Sequence, residues 1–445
     1  MEYQKPTINK VDFRLASKYG SPLKEQRIKG EIDGVPVKEL VEKFGSPLFV
    51  FSQRELEEKY REYKTAFSSR YPNVQFWWSY KTNYLDAICK IFHKLGSKAE
   101  VVSEFEYQKA RRLGVEGRDI IFNGPYKPKH ILRQALQEGA MIHIDHFYEI
   151  NDIEDVAREL GLKEVGVAIR CNMNTGVYPQ WSRFGFNIEN GEAYEAVRRL
   201  YKGGILKLVG LHAHIGTFML SSSAYRVEVE KLMRLKNWSE NQFGVEVEYI
   251  DIGGGFASRN RLKGVYQPPE VIVPSPDEYA EAVTGAIYDN YQGKLPKLYL
   301  ETGRALVDEA GYLLTSVFAT KRLPDGKKGY VVDAGVNLLY TAFWYNFELF
   351  LDKRYEGLNE PSQVNGPLCM NIDVIAENVM LPPLERGTIM TIWPVGAYNY
   401  PQSMQFIQYR PRVVLIDTNG IPHLIREADD LNYVVEKEVV PDYLK

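Results

Sequence analysis

Short apolar runs alternate with amphipathic segments between about Phe49 and Arg304. Eight of the runs have the length and composition of β-strands: 75–81, 98–103, 119–124, 141–145, 164–170, 208–216, 246–253 and 297–303. The intervening segments are interpreted as helices, and residues 104–113 and 222–237 place apolar side chains three and four positions apart. This alternation predicts a (β/α)₈ barrel. A doubly wound open sheet shows the same alternation and stays an alternative.

The pattern changes after Gly303. Residues 312–322 and 328–333 are rich in β-formers and are joined by Leu-Pro-Asp-Gly at 323–326, a sequence typical of a hairpin turn. Further strand patterns occupy 388–395, 412–417 and 423–426. They predict a mostly antiparallel β domain. We expect an N-terminal segment (1–45) that packs on this domain and makes it discontinuous, a barrel (46–304) and the C-terminal β domain (305–445).

Composition narrows the class of protein. Lys and Arg number 55 and Asp and Glu 58, so the net charge of −3 favours neither nucleic acid nor an anionic membrane as a partner. The polar start lacks the apolar middle of a signal peptide, and no run approaches the ~20 apolar residues of a membrane span. Cys89, Cys171 and Cys369 are odd in number and widely spaced, which indicates no disulfide framework and fits the reducing cytoplasm.

Several predicted strands end in residues whose side chains can take part in catalysis or ligand binding. Strand ends form the catalytic face of such barrels. The first strand, rich in aromatic residues, runs into Lys81. A strand-end lysine usually does no more than reach solvent. The functional interpretation is a Schiff-base lysine, whose amine must be partly desolvated to lose its proton near neutral pH.

The sixth predicted strand ends in His212 and His214, which period-two spacing places on one face. They could be a metal pair, satisfied core histidines, or an imidazole that stacks on a cofactor ring. A metal is less favoured because no Cys, Asp or Glu stands close by in the sequence.

The last two predicted strands end in small and charged residues. The seventh ends in Gly253, Gly254 and Gly255, and the eighth in Glu301, Gly303 and Arg304. Glycines let the backbone N–H groups approach an anion, although a tight loop is the commoner reason for three glycines. Glycine-rich ends on the last two strands of a barrel favour a phosphate site.

Six motifs occur in the order found in fold-type-III pyridoxal phosphate (PLP) decarboxylases: Tyr-Lys at 80–81, His-Ala-His-Ile-Gly-Thr at 212–217, three glycines at 253–255, Glu-Thr-Gly-Arg at 301–304, Gly-Pro-Leu-Cys at 366–369 and Gly-Ala-Tyr at 396–398. The chain resembles this family, and most closely diaminopimelate decarboxylase, with ornithine and arginine decarboxylases as more distant relatives. The resemblance extends from residue 32 to residue 416.

The resemblance implies a role for each matched residue. Lys81 would form the Schiff base, His214 would stack on the pyridine ring and Glu301 would pair with the pyridine nitrogen. Glu100 stands where the family usually has Asp. The phosphate would be held by Thr217 (a serine in the family), Gly253, Gly254, Gly255, Gly303 and Arg304, and by Tyr398 from a partner subunit.

The implied chemistry is decarboxylation of an amino acid. A carboxylate at Glu301 keeps the pyridine nitrogen protonated, and the ring then accepts the electron pair left by CO₂, in a quinonoid intermediate. Racemases of the same fold have an arginine there, so a racemase is the less favoured alternative. Cys369 resembles the cysteine that crosses a dimer interface and would protonate the product, which implies a homodimer with active sites at the interface.

The match fails at the positions that recognise the far end of the substrate. The glutamate that follows the cysteine in diaminopimelate decarboxylases is Met370 here, and their Arg-Pro aligns with Thr341 and Ala342. Misalignment would explain this. The preferred hypothesis is a substrate with a larger or less charged distal part, as enzymes of specialised biosynthesis often use. The candidate contacts are Thr341, Trp344, Met370 and Asp373, with Tyr340 and Phe343 beside them.

Two further alternatives remain at this point. A regulatory protein that keeps the fold without catalysis would be expected to lose cofactor residues, whereas those named above are present. A metal hydrolase on the same barrel would use the two histidines and Asp251.

Overall fold

The computed structural model describes residues 25–445, which divide into two compact units. Glu57–Ser258 and Ile272–Val307 make up the barrel unit. The β unit contains the described chain up to Leu56, Arg259–Val271 and Asp308–Lys445. Of the predicted N-terminal segment, residues 1–24 lie outside the described residues.

Parallel strands form a closed barrel in the barrel unit. Within residues 25–445 its eight strands are, in order, Val74–Ser79, Lys98–Val101, Ile120–Phe122, Met141–Ile144, Val165–Asn172, Leu206–Ala213, Tyr249–Asp251 and Lys297–Thr302. Each strand pairs with the next, and the eighth pairs with the first. The ring therefore has no open edge, which confirms the (β/α)₈ prediction and excludes the open sheet. A two-residue strand, Phe186–Asn187, extends the fifth strand's edge.

Helices follow the strands along the chain. The α-helices between residues 53 and 307 are Gln53–Ser68, Asp86–Lys94, Glu104–Arg112, Lys129–Gln137, Phe147–Glu159, Glu192–Gly203, Ser222–Phe243, Pro269–Ile272, Pro276–Asn290 and Arg304–Val307, and short 3₁₀ turns lie at Tyr80–Thr82 and Gly117–Asp119. Every helix within residues 25–445 is too short or too polar to span a lipid bilayer.

The interior of the barrel is filled largely by aromatic rings. Trp77, Tyr249 and Tyr299 form a buried cluster with Ile121 and Ala168. The rings of Tyr249 and Tyr299 stack with centroids 4.4 Å apart. Barrels of this type more often use branched aliphatic residues. Tyrosine and tryptophan side chains also bring hydroxyl and indole N–H groups into the core, and buried groups of this kind usually have a hydrogen-bond partner.

The β unit is built on a mostly antiparallel sheet. Its longer strands are Leu48–Ser52, Gly311–Arg322, Lys328–Val332, Glu348–Leu351, Glu360–Asn365, Val374–Leu381, Ile389–Trp393, Val413–Ile416 and Pro422–Arg426. The predicted hairpin is present, with Leu323 N–H bonded to the Lys327 carbonyl. Leu48–Ser52 pairs with Gly311–Arg322 and Val413–Ile416. The predicted start of the barrel at residue 46 is therefore wrong, because this strand belongs to the β unit.

The N-terminal segment contributes to the core of the β unit. The hairpin of Glu31–Ile32 and Val35–Pro36 leads into the helix Val37–Phe44. Ile32, Val37 and Leu40 are buried in one cluster with residues of the central strands of the sheet. This packing confirms a discontinuous β domain. The remaining elements of the unit are the helix Leu431–Val435 and the 3₁₀ turns Tyr340–Phe343 and Asp442–Leu444.

Candidate active site

Lys81 forms an ion pair with Glu100 at the ends of the first two barrel strands. A 3₁₀ turn directly after the first strand carries the lysine. Its Nζ lies 2.7 and 2.9 Å from the two carboxylate oxygens. Ser79 Oγ donates to the same carboxylate over 2.5 Å. Burial raises the pKa of Glu100, and the nearby Lys81 opposes that rise. The lysine side chain is 35% exposed, so a small molecule can reach its amine.

Glu301 lies buried near the end of the eighth strand, among both donors and charges. The Asn123 amide donates to its carboxylate, and His212 Nε2 lies 3.6 Å from it. Burial raises the pKa of Glu301, while the positive charges of Lys81 and Arg170 oppose the rise. The site therefore contains an accessible amine and a buried carboxylate on neighbouring strands of the barrel.

His212 belongs to the interior of the barrel. Its ring packs 4.9 Å from that of His143, whose Nε2 lies 3.0 Å from Tyr249 Oη. Burial holds the pKa values of both imidazoles well below the usual range, so both are neutral. Among the described residues, the ligand atoms of His143, His212 and Glu301 lie within 4.8 Å of one another, as in a metal site. Three cations, Lys81, Lys127 and Arg170, act on His212. They disfavour a further positive ion there.

His214 is oriented by the glycine sequence. Gly254 N–H donates to His214 Nδ1 over 3.1 Å, which assigns the proton of the neutral ring to Nε2. Burial, Arg170 and Lys81 hold the pKa of this imidazole well below its usual range. The ring of Trp181 contacts it edge-on at a centroid distance of 5.3 Å. His214 is thus a neutral imidazole whose ring orientation is fixed by Gly254, and it does not belong to the His143–His212 pair.

The three glycines allow the ends of the sixth, seventh and eighth strands to approach. A Cβ on Gly253 would lie 2.7 Å from the Ala213 carbonyl oxygen. A Cβ on Gly254 would overlap the Glu301 carbonyl oxygen, and one on Gly255 would overlap that of Gly216. Gly255 also has a φ of 91°, which favours glycine.

The remaining predicted phosphate ligands follow the sixth and eighth strands. A Cβ on Gly303 would overlap Thr82 Oγ1, so close packing requires this glycine. Arg304 begins a four-residue helix, is largely buried and lies 5.8 Å from the ring of Phe218. Thr217 is exposed.

Other charged residues near the ends of the barrel strands were not among the candidates predicted from the sequence. Arg170 lies at the end of the fifth strand, 3.5 Å from Asp145 and over the ring of Phe184. Lys127 and Glu149 form a fully buried ion pair of 2.6 Å. Lys127 and Glu149 follow the third and fourth strands and Arg170 lies near the end of the fifth, and these positions are the signal that could have identified them, by the rule that pointed to Lys81 and Glu301.

Cys369 lies in a tight loop of the β unit and is exposed. The Asp373 carboxylate closes this loop by accepting the N–H groups of Val336 (2.8 Å) and Leu368 (2.7 Å). Asp373 is buried, which raises its pKa. Both of its oxygens are thus engaged with backbone groups. Met370, next to the cysteine, is partly exposed.

Tyr398 has the left-handed φ of 65°, an uncommon conformation for a bulky residue. Its loop in the β unit is fixed by Asn399, which donates to the Val395 carbonyl and accepts from both the N–H and the hydroxyl of Thr341. Thr341 is therefore buried and used internally, whereas Trp344 is half exposed.

A family model described as pyridoxal-dependent decarboxylase, pyridoxal binding domain, matches residues 53–308, more than half of the chain. The chain belongs to the pyridoxal-dependent decarboxylases. Its sequence is 30% identical to the diaminopimelate decarboxylase of Methanocaldococcus jannaschii over 93% of this chain and 95% of the relative. The corresponding values for the enzyme of Aquifex aeolicus are 31%, 91% and 94%.

Solved structures of these decarboxylases have the same fold. The crystal structure of the M. jannaschii enzyme superposes with a TM-score of 0.86, covering 94% of this chain and 98% of that one at 30% identity. A second structure of that enzyme, in complex with L-lysine, has a TM-score of 0.85 at 29% identity. The predicted PLP-dependent amino-acid decarboxylase is confirmed, and neither the racemase, the regulatory protein nor the metal hydrolase gains support.

The residues of the barrel unit fit pyridoxal phosphate. The cofactor needs an amine for its aldehyde, an anion for its ring nitrogen and donors for its phosphate. Lys81, Glu301 and the glycine-rich strand ends supply groups of these kinds within one unit.

Proposed function

We propose that the barrel unit binds PLP and that the β unit supplies the groups that complete the decarboxylation of an amino acid. In the barrel, Lys81 would anchor the cofactor, Glu301 would face its ring nitrogen and His214 would lie flat against its ring. The glycines 253–255 with Thr217, Gly303 and Arg304 would hold its phosphate. The observation that carries this proposal is the buried Glu301 carboxylate, bonded to Asn123, on a strand paired with the one that leads to Lys81.

The side chains of this chain would divide the work as follows. When bound, PLP supplies an electron sink for the bond that breaks as CO₂ leaves. Glu301 holds a proton at the ring nitrogen because a neighbouring negative charge favours the charged form. His214, neutral and fixed by Gly254, restrains the ring without adding charge. Cys369 Sγ–H donates a proton to the α-carbon after CO₂ has left.

We propose that the protein is a homodimer in which Cys369 and Tyr398 act in the partner's site. Both residues lie in loops of the β unit whose backbone is fixed by buried polar side chains, Asp373 and Asn399. Fixed loops suit residues that must meet a second subunit.

Mixing two inactive variants tests this arrangement. Lys81→Ala and Cys369→Ala are each expected to be inactive. A mixture of the two allows a dimer with one intact site. Random re-association should restore about one quarter of the wild-type activity, because half of the dimers carry one intact site of two. A mixture as inactive as its parents, with exchange shown by differently tagged subunits, would exclude sites shared between subunits.

We propose that the substrate has a less charged or larger distal part than diaminopimelate. Two observations support this. Met370 follows Cys369 at the position where the resemblance to diaminopimelate decarboxylases implies a glutamate, and Thr341 is buried and hydrogen-bonded to Asn399. Neither side chain offers a charge to an amino-acid head, and paired charges are the usual means of recognising one.

A turnover screen tests the substrate proposal. CO₂ release should be measured with diaminopimelate, ornithine, lysine, arginine and carboxylated polyamines under identical conditions. We expect diaminopimelate to be a poor substrate, and Met370→Glu to raise kcat/KM for it relative to the best substrate found. Efficient use of diaminopimelate by the wild-type protein would refute this proposal and leave the decarboxylase itself intact. The predicted cytoplasmic location stays a prediction.

A further inference from the structure

Two carboxyl groups meet in the barrel, at the ends of the seventh and eighth strands. Asp251 is fully buried, and its Oδ1 accepts the N–H of Gly253 over 2.8 Å. Glu301 is brought beside it by the backbone, since its N–H donates to the carbonyl of the same Gly253 over 2.7 Å, and the two carboxyl groups are placed to share a hydrogen bond. No nitrogen or hydroxyl donor among residues 25–445 reaches Asp251 Oδ2. An ionised carboxylate can only accept, so a bond between two carboxyl groups requires a proton on one of them.

The surroundings decide which of the two carries the proton. Glu301 accepts a hydrogen bond from the Asn123 amide and interacts electrostatically with the positive charges of Lys81 and Arg170. These contacts favour its ionised form. The charged groups with the largest effect on Asp251 are Glu301 and Glu100, and both are acidic.

The remaining titratable neighbour does not change this assignment. His212 Nε2 lies 3.6 Å from Glu301, but burial keeps that imidazole neutral. It therefore adds no positive charge to either carboxyl group, and the proton is more stable on Asp251 than on Glu301.

We propose that Asp251 is a neutral carboxylic acid in the working enzyme and donates a hydrogen bond to the Glu301 carboxylate. Asp251 is then a positioning residue. It and Asn123 hold Glu301 from two sides with uncharged donors, which leaves the negative charge of Glu301 available for the ring nitrogen. Two adjacent buried carboxylates would repel, and Glu301 would take up a proton and lose that charge. The proposal rests on the proposed role of Glu301.

The test compares Asp251→Asn with Asp251→Ala in the holoenzyme. The asparagine amide can donate to Glu301 while its oxygen accepts the Gly253 N–H, so it reproduces a protonated aspartate. We expect Asp251→Asn to keep kcat/KM within about threefold of the wild type, and Asp251→Ala to lower it about 10- to 100-fold, since a hydrogen bond to a charged group is lost. The Asn variant should also leave the visible absorbance of the bound cofactor, and its pH dependence, unchanged.

Infrared difference spectroscopy detects the proton itself. The wild-type spectrum at neutral pH should contain the C=O stretch of a protonated carboxylic acid that is missing from Asp251→Asn. Glu228→Gln is the matched reference, because Glu228 is a second buried acid whose pKa is raised well above its usual range. It should remove a separate component of that band. Folding of each variant is checked by circular dichroism.

Two results would overturn the proposal. One is a spectrum of folded Asp251→Asn with no acid band missing. The other is a loss of kcat/KM in Asp251→Asn as large as in Asp251→Ala, which would show that the charge of Asp251 is needed. Failure of the proposed function looks different. In that case the wild type would release no CO₂ from any amino acid, while the infrared band would still report the protonation of Asp251.

Discussion

Lys81 Nζ lies between the two carboxylate oxygens of Glu100, at 2.7 and 2.9 Å. The amine that would anchor the cofactor therefore has a defined partner whenever it is not bonded to that cofactor. Glu100 is itself fixed by the hydroxyl of Ser79, which donates to its carboxylate. This ion pair holds the amine of Lys81 at the end of the second barrel strand, beside a fully buried carboxylate.

Replacing Lys81 should remove both cofactor attachment and catalysis. Lys81→Met leaves no amine for the aldehyde, so we expect a loss of the visible absorbance and a fall in kcat of at least about 1000-fold. Lys98→Met is the control, since Lys98 pairs with Asp119 at the surface and should keep nearly full activity. Absorbance after dialysis and CO₂ release measure the two effects. Substantial activity in Lys81→Met would contradict the assignment.

Gly254 and Gly285 should respond to alanine in opposite directions. A Cβ at Gly254 would overlap the Glu301 carbonyl oxygen, so the strand ends must separate. We expect Gly254→Ala to lose cofactor binding or to fail to fold. Gly285 lies inside the helix Pro276–Asn290, where a Cβ meets only the Arg226 side chain at 3.5 Å. Gly285→Ala should raise the free energy of unfolding by about 0.5–1 kcal/mol.

Thermal or urea unfolding of both glycine variants, together with PLP titration, checks the contrast. A Gly254→Ala protein with normal cofactor affinity would show that the ends of the strands have room for a side chain.

Glu228 should make the fold less stable as the pH rises. Both of its carboxylate oxygens lack a hydrogen-bond partner among the described residues, and burial raises its pKa well above 4.5. Above pH 4.5 the unfolded chain releases this proton while the folded chain retains it, so the group costs up to about 1.4 kcal/mol per pH unit until it ionises in the folded state. Glu228→Gln should be more stable than the wild type at neutral pH, and the difference should shrink towards pH 4.5.

Urea unfolding at several pH values measures this difference. Glu230→Gln, on the same helix and paired with Arg226, is the matched control measured at the same pH values. A constant difference between the wild type and Glu228→Gln across the pH range would mean that Glu228 ionises normally in the folded protein.

Asp373 should act on the loop of Cys369 and not on the substrate. Asp373→Ala removes the acceptor of two buried N–H groups, those of Val336 and Leu368, and should cost about 2–4 kcal/mol of stability. Because the loop loses its restraint, kcat should fall more than KM rises. Asp325→Ala, in an exposed turn, is the control. A large rise in KM with unchanged stability would instead support the predicted substrate contact.

The sequence predicted the barrel because its strands are short, apolar and regularly separated by amphipathic helices. The end of each strand then pointed to Lys81, His214 and Glu301. It did not point to Asn123 or Arg170, because an asparagine or an arginine after a strand is unremarkable until the neighbouring strands bring Glu301 beside it. The proton that we propose between Asp251 and Glu301 could not be predicted from the sequence for the same reason. It depends on two strands meeting and on the charges around them.

The contacts of the β unit were harder to predict. Thr341 and Asp373 were candidates for substrate binding. In the structure, Thr341 is hydrogen-bonded to Asn399, and Asp373 accepts hydrogen bonds from backbone N–H groups. Such internal hydrogen bonds join residues up to 58 positions apart in the sequence and leave no local pattern. Residues 48–52 were included in the predicted barrel domain for a related reason, because a short apolar run does not show which sheet it will join.

The position of Leu48–Ser52 has a consequence for how the protein is made. Its two neighbours in the sheet, Gly311–Arg322 and Val413–Ile416, leave the ribosome only after the entire barrel has been synthesised. Until these two strands have been synthesised, the strand Leu48–Ser52 has neither of its neighbours in the sheet. The barrel can therefore close before this strand finds its neighbours, since the β unit needs segments from both sides of the barrel in the sequence.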